Sequence, residues 1–207
     1  MRITVFGASG KVGTQVTALL LAHGHDVTVF VHSTPVPARE HLQSIKGDIH
    51  EPSDVDRAIA GADAVICVLG SWGTKSKDIV SSATANLIPA MESAGIRRIV
   101  TLTGSGARSP GEKPGVIFDV MRAAFGKVAP KILKDSEDHL DMLAGSSLEF
   151  TVLRSPPMLE AGTQQYQLGV APKLSALTIH RGAVAAAIVG LVEQNSHLRQ
   201  YPYISRG

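Results

Sequence analysis

Gly7, Gly10 and Gly13 stand three residues apart in Gly7-Ala8-Ser9-Gly10-Lys11-Val12-Gly13, directly after the apolar run Ile3-Thr4-Val5-Phe6 and directly before a stretch of helical periodicity. That placement gives the spacing its chemical meaning. One glycine turns the chain, a second lets the backbone approach a pyrophosphate closely, and a third lets the helix pack near the strand. The start of the helix adds N–H groups that no helical carbonyl accepts, and the positive end of the helix dipole. Gly7, Ser9, Gly10, Lys11, Val12 and Gly13 therefore read as a cradle for a diphosphate. An ordinary tight strand–helix turn is the bland alternative. A triphosphate loop is disfavoured, because Gly10-Lys11 is followed by Val12 instead of Ser or Thr. A dinucleotide is the expected ligand.

Where the second strand ends, an NAD-preferring site offers an acid to the adenosine ribose, but the chain reads Val31-His32-Ser33-Thr34. NADP (NADPH) is accordingly expected ahead of NAD, with His32, Ser33 and more loosely Arg39 around the extra phosphate. A polar loop without specificity is the competing reading. His139 and His180 lack partners at metal-ligand spacing, so no metal site is expected. The single cysteine, Cys67, excludes an intrachain disulfide and a Cys-rich zinc site and fits a reducing compartment.

The glycine turn needs a strand behind it and a helix ahead of it, and the chain repeats that pattern. Strands are expected at residues 2–6, 26–31, 42–46, 64–69, 98–103 and 148–153, and helices at 11–23, 53–60, 77–94, 131–144 and 180–193. Gly24, Gly61, Gly95 and Gly145 stand at or near helix ends, where a left-handed turn favours glycine. Strand–helix alternation predicts an α/β fold, a Rossmann-like doubly wound parallel sheet with helices on both faces. The 207 residues, 44% hydrophobic and 18% charged, suit one NAD(P)-binding domain over residues 1–207. A less regular stretch at about 105–130 reads as a substrate-side insertion or as a long surface connection, and a second at 154–178 is grouped with it on the expected substrate side.

Twenty Lys+Arg against 18 Asp+Glu give a net charge of +2, far from the basic excess of a nucleic-acid binder. Residues 104–134 are locally basic, with Arg108, Lys113, Arg122, Lys127, Lys131 and Lys134 against Glu112 and Asp119. This reads as ordinary surface patterning or as a basic rim over a site for an anionic ligand. No apolar run approaches the length of a membrane span, and residues 182–192 read as a packed helix. A cytoplasmic protein without membrane or nucleic-acid partners is expected.

The glycine turn, Lys46-Gly47-Asp48-Ile49, residues 64–70, Ala94-Gly95-Ile96-Arg97-Arg98-Ile99-Val100, residues 99–107 and Ile179-His180-Arg181 together resemble atypical short-chain dehydrogenases of the NmrA-like type. The branch of flavin and biliverdin reductases looks closest. The resemblance implies that Asp48 and Ile49 lie near adenine and that Leu69, Gly70 and Ser71 lie near the cofactor's ribose and phosphates. It also implies that the end of the fifth strand meets the nicotinamide. The related reductases' functional serine falls on Gly104, which leaves Thr103 and Ser105 as the catalytic candidates. The segment from Phe150 to Met158 resembles the strand and proline turn that pass the nicotinamide, with Pro156 beside the ring.

Met158 stands where related reductases can carry histidine, and it cannot transfer a proton. The Tyr-x-x-x-Lys dyad of the better-known branch is also missing, since Pro130 precedes Lys134 by four and Val170 follows Tyr166 by four. Trp72 reads as packing, or as a ring for stacking on an acceptor. Lys134 and Glu137 read as an exposed ion pair, with Lys134 a secondary cofactor candidate. Hydride delivery to an electron-poor ring needs little acid–base machinery. The expected activity is therefore an NADPH-dependent oxidoreductase acting on a small conjugated acceptor such as a flavin or quinone. A non-catalytic NmrA-like NADP sensor is the alternative, and a nucleotide-sugar epimerase the least favoured.

Overall fold

Successive residues of a strand face opposite layers, and here both layers are apolar, which is why the strand runs lack polar alternation. A computed structural model describes all residues except 34, 35, 37, 38, 73–75, 114, 161 and 173–176. The chain proceeds as β1 (Arg2–Phe6), α1 (Lys11–Ala22), β2 (Asp26–Val31), β3 (Leu42–Lys46), α2 (Pro52–Ile59), β4 (Ala64–Cys67), α3 (Ile79–Ser93) and β5 (Arg98–Gly104). It continues as α4 (Val116–Val128), α5 (Pro130–Gly145), β6 (Glu149–Ser155), β7 (Met158–Leu159), β8 (Tyr166–Gly169), β9 (Ile179–His180), α6 (Arg181–Glu193) and β10 (Tyr203–Arg206).

One sheet takes the order β3-β2-β1-β4-β5-β6-β10-β8, and β7 pairs with β9 beside it. Among the described residues of the large sheet only β8 runs antiparallel, against β10. The fold is thus a doubly wound, Rossmann-like α/β fold. Ile3 and Val5 of β1 pack with Val16, Leu20 and Ile188 of α1 and α6. Phe6 of β1 packs in the opposite layer with Val55, Leu87 and Leu140 of α2, α3 and α5. α6 is apolar almost all round because α1, the sheet and β8 enclose it, as expected of residues 182–192. The strand order reverses between β1 and β4, which opens a crevice at the carboxyl ends of the strands.

Several expectations are corrected. The fourth strand ends at Cys67, short of Leu69. Gly24, Gly61 and Gly95 take φ of 78°, 73° and 70°, but Gly145 closes α5 without a positive φ. The stretch at 105–130 contains α4, whose start lacks a side-chain cap and whose Val116, Val120 and Val128 are exposed, so the ordinary buried-face pattern is blurred. β10 was not expected at all. It is four residues long and its pairing with β6 is parallel, so nothing local marks it.

His139 of α5 is fully buried between Thr84 of α3 and Thr101 of β5. Thr84 Oγ1 donates to Val80 O at 2.7 Å, so it accepts from His139 Nδ1 at 2.6 Å. That leaves Nε2 to accept from Thr101 Oγ1 at 2.9 Å. Burial lowers the imidazole from 6.5 to about 4, against an opposing pull from the Asp135 carboxylate. As pH falls through this window the unfolded chain takes up a proton that the folded imidazole refuses, so stability falls with pH. The contribution is on the order of 3 kcal/mol. Urea midpoints measured near about pH 7 and about pH 4.5 should drop less in His139→Gln than in the parent; an equal drop would remove this assignment.

Candidate functional site

Beyond Phe6 the chain turns at Gly7 with φ 83°, a left-handed conformation that suits glycine. A Cβ on Gly7 would lie 2.8 Å from the Val68 carbonyl carbon, and one on Gly13 would lie 2.1 Å from Gly7 O. Both approaches require bare backbone. At Gly10 a Cβ would meet only Gly7 O, at 3.2 Å. Thr14 Oγ1 donates back to this turn, 3.0 Å from Gly10 O and 3.2 Å from Ala8 O. No side chain caps α1 and no acid stands in its first turn, so its leading amides remain open to an anion. The residues present therefore fit a bound diphosphate.

Beside the turn lies a cavity of ≈ 750 Å³, large enough for a small ligand. Gly10, Lys11 and Val12 form one end of it, and Leu69, Gly70 and Ser71, which follow β4, form the adjoining wall. Thr103 and Ser105 line it from the end of β5, and Pro156 and Met158 from beyond β6. The amide of Ser105 donates to Ser155 O at 2.8 Å, which ties the two strand ends together. Lys11 Nζ lies 2.7 Å from Glu160 Oε1, and the same oxygen lies 2.7 Å from Arg181 Nη1.

Gly7, Ser9 and Gly13 belong to the turn but not to the cavity wall. His32 and Ser33 sit exposed at the end of β2, at the same edge of the sheet. Asp48 and Ile49 follow β3 there: the Asp48 amide donates to Asp54 Oδ2 at 2.8 Å, and Ile49 O accepts from Asn86 Nδ2 at 2.8 Å. Arg39 is not brought to this edge. It pairs with Leu42 at the start of β3 and lines a different cavity with Arg2 and Asp26, at the amino ends of the strands. The connection after β2 must return to that end before β3 can run parallel, and it carries Arg39 with it.

The sequence did not single out the aromatic wall. Phe118 and Phe125 of α4 line the cavity at a spacing of seven, with Arg122 between them on the same helical face. Trp72 lines it too, 69% exposed and with its ring 6.2 Å from that of Phe125, so it is not a buried packing residue. Among the described residues there is no cluster of acids, histidines or cysteine that could hold a metal ion. Cys67 is buried, and burial raises its thiol to about 11, which keeps it unreactive.

Two carboxylates, Asp135 buried and Glu112 half-buried, hold the walls in place. Asp135 of α5 accepts from the Ser81 amide at 2.7 Å, the Val80 amide at 3.3 Å and the Ser71 hydroxyl, so it caps α3 and positions a cavity residue together. Glu112 pairs with Arg154, which is 2% exposed, and accepts from Tyr203 Oη at 2.9 Å and Ser109 Oγ at 2.8 Å. Burial opposes ionisation of Glu112, yet the hydrogen bonds from Arg154 and Ser109 outweigh it and hold the carboxyl below its ordinary range. The expected Lys134–Glu137 pair is replaced: Lys134 pairs with Asp138, one turn along the same helix, and Glu137 faces Arg122. Replacing Asp135 by Asn should cost about 3 kcal/mol in urea unfolding, because three donors would then face a partner that no longer carries charge. A loss under about 1 kcal/mol would show that the cap matters little.

Solved structures with this architecture include a short-chain dehydrogenase/reductase from Veillonella parvula DSM 2008 in complex with NADP, with a TM-score of 0.82, 20% identity, and 99% of this chain and 94% of that one covered. The anaerobillin reductase ChuY from Escherichia coli O157:H7 gives a TM-score of 0.74 at 21% identity, covering 100% and 97%. Among curated proteins, 3-beta-hydroxysteroid dehydrogenase of Mycolicibacterium neoaurum is 34% identical over 112 residues, 48% of this chain and 31% of that protein. The nitrogen metabolite regulation-like protein bik4 of Gibberella fujikuroi is 31% identical over 128 residues, 58% and 37%. The chain thus spans about a third of the length of these two relatives. The NAD(P)H-binding family matches residues 7–195, from the glycine turn to just past α6, and the chain belongs to that family.

Proposed function

We propose that the protein is an NADPH-dependent reductase that delivers hydride to a small conjugated acceptor such as a flavin or quinone. The observation that supports this reading is the continuity of one cavity, from the open amides of α1 to the Thr103 and Ser105 hydroxyls and the aromatic wall of α4. In this reading residues 1–207 work as one cytoplasmic NAD(P)-binding domain, with 105–130 and 154–178 forming its substrate side. Among the described residues no helix is long and apolar enough to cross a membrane. The reaction requires no nucleic-acid partner.

The amides from Ser9 to Gly13 would hold the diphosphate, with Leu69, Gly70 and Ser71 along the ribose and phosphates and Asp48 and Ile49 beside adenine. His32 and Ser33 would meet the extra phosphate, the role in which Arg39 no longer figures. Reduced nicotinamide, when bound, supplies the hydride. Thr103 and Ser105 would orient the reacting groups through their hydroxyls, and Pro156 and Met158 offer an apolar surface to the ring plane. No acidic side chain lines the described cavity wall, so the proton that follows the hydride comes from solvent. A conjugated acceptor tolerates this because its negative charge is delocalised after hydride arrival; a simple ketone does not.

A second reading, an NADP-binding regulator without chemistry, is favoured by the likeness to bik4 and by the missing Tyr-x-x-x-Lys dyad. The decay of NADPH absorbance with FMN or a quinone present separates the two. Turnover supports the reductase; tight NADPH binding with no turnover across such acceptors, together with a partner whose affinity follows the nucleotide's redox state, supports the regulator. In Gly10→Asp the new carboxylate is a favourable helix cap that occupies the amides a diphosphate needs. The variant should keep its thermal midpoint while losing NADPH binding by about a hundredfold, on the order of 3 kcal/mol. Thr103→Val and Ser105→Ala should each lower kcat/KM about tenfold.

A further inference from the structure

The basic stretch noted in the sequence divides into residues that face the cavity and residues that do not. The charged side chains on the described cavity wall are Lys11, Arg108, Arg122 and Arg181, all cations. Lys11 and Arg181 share Glu160 at the glycine-turn end. Arg108 follows β5 and Arg122 lies on α4, among Phe118 and Phe125. The second pair therefore belongs to the acceptor end.

Both of these arginines are anchored in a way that leaves donors over. Arg122 spends Nε and Nη2 on the two Glu137 oxygens, each at 2.7 Å, so its Nη1 has no acceptor among the described residues. Arg108 pairs through Nη2 with Asp119, while its Nε is buried with no hydrogen-bond partner. A buried donor without an acceptor is costly unless a ligand or water satisfies it. Glu137 also accepts from the Arg108 amide at 3.2 Å, which holds the two arginines in register. The acids that fix these guanidinium groups are not themselves on the cavity wall.

We infer that Arg108 and Arg122 form an anion subsite for a charged arm, a phosphate ester or a carboxylate, carried by a planar acceptor that lies against Phe118 and Phe125. This deepens the reductase reading and rests on it. The aromatic rings take the flat apolar body of the acceptor, and the spare guanidinium donors take its anionic end through charge-assisted hydrogen bonds. Such an acceptor would be selected over its neutral analogue, because an uncharged end leaves the same donors facing the cavity unpaired.

The test compares matched ligands that differ only in the arm. FMN against riboflavin probes a phosphate ester, and a carboxylated naphthoquinone against its neutral parent probes a carboxylate. Binding is read by quenching of flavin or quinone-displaced flavin fluorescence with NADP⁺ present, which does not require turnover. The parent protein should favour at least one anionic member by about tenfold, and that preference should shrink as salt rises from about 20 mM to about 500 mM. In Arg122→Gln and in Arg108→Gln the anionic-to-neutral ratio should fall by about tenfold, and Arg122→Lys should restore part of it. Equal affinity for both members of each pair in the parent, or a ratio that survives both substitutions, overturns the subsite. Preference without NADPH oxidation would keep the subsite and overturn the reductase reading instead.

Discussion

The close contact of α1 with the strand ends is the constraint on which the site depends. It exists only because Gly7 and Gly13 present no Cβ: one would strike the Val68–Leu69 backbone and the other the Gly7 carbonyl. Bringing the helix this near fixes Lys11 and Val12 at one end of the cavity and aims uncapped amides along the crevice between β1 and β4. The same proximity lets Val12, Val16 and Leu20 enter the layer shared with α6. A wider turn would weaken anion binding and core packing at once, so the binding element is also a folding element.

The fold was legible because its parallel strands are buried on both faces. Apolar runs gave β1 and β2 their observed limits, since a buried strand admits few polar residues, whereas β3, an edge strand with Gln43, Ser44 and Lys46, carries little of that signal. α4 was not legible, for its exposed valines break the relation between apolar periodicity and a buried face. β10 was hidden for another reason: it joins β6 from almost fifty residues away in sequence, and pairing at that distance leaves no local trace.

At the site, positions fixed by backbone geometry were easier to read than positions fixed by long side chains. The glycine turn, residues 69–71 and the hydroxyls of Thr103 and Ser105 follow from which strand they terminate, and the structure gathers Gly10–Val12, Leu69–Ser71, Thr103, Ser105 and Pro156 on one cavity. Arg39 shows the opposite case. As a cation in the loop after β2 it was a loose candidate for the extra phosphate, but a connection that leads into another parallel strand must cross to the far edge first. Lys134 likewise chose Asp138 over Glu137 because Arg122, on a separate helix, claims Glu137 with both nitrogens of a fork.

Net charge concealed the electrostatics in the same manner. A value of +2 spread over 207 residues describes a nearly neutral molecule. Pairing nonetheless separates the signs in space: Glu137, Asp119 and Glu160 hold Arg122, Arg108, Lys11 and Arg181, while only the cations reach the described cavity wall. An acid behind an arginine restrains its orientation and lowers the cost of keeping it partly desolvated, yet a guanidinium on the cavity wall still presents positive charge at short range. Arg154 marks the contrasting outcome. It is buried, paired with Glu112, bonded to Tyr201 O and stacked 3.7 Å from the Tyr203 ring centre, so every side of its guanidinium is engaged and it serves as a strut. What separates Arg108 and Arg122 from Arg154 is thus their place on the cavity wall together with the donors their partners leave over, a property of tertiary arrangement that residue type alone does not carry.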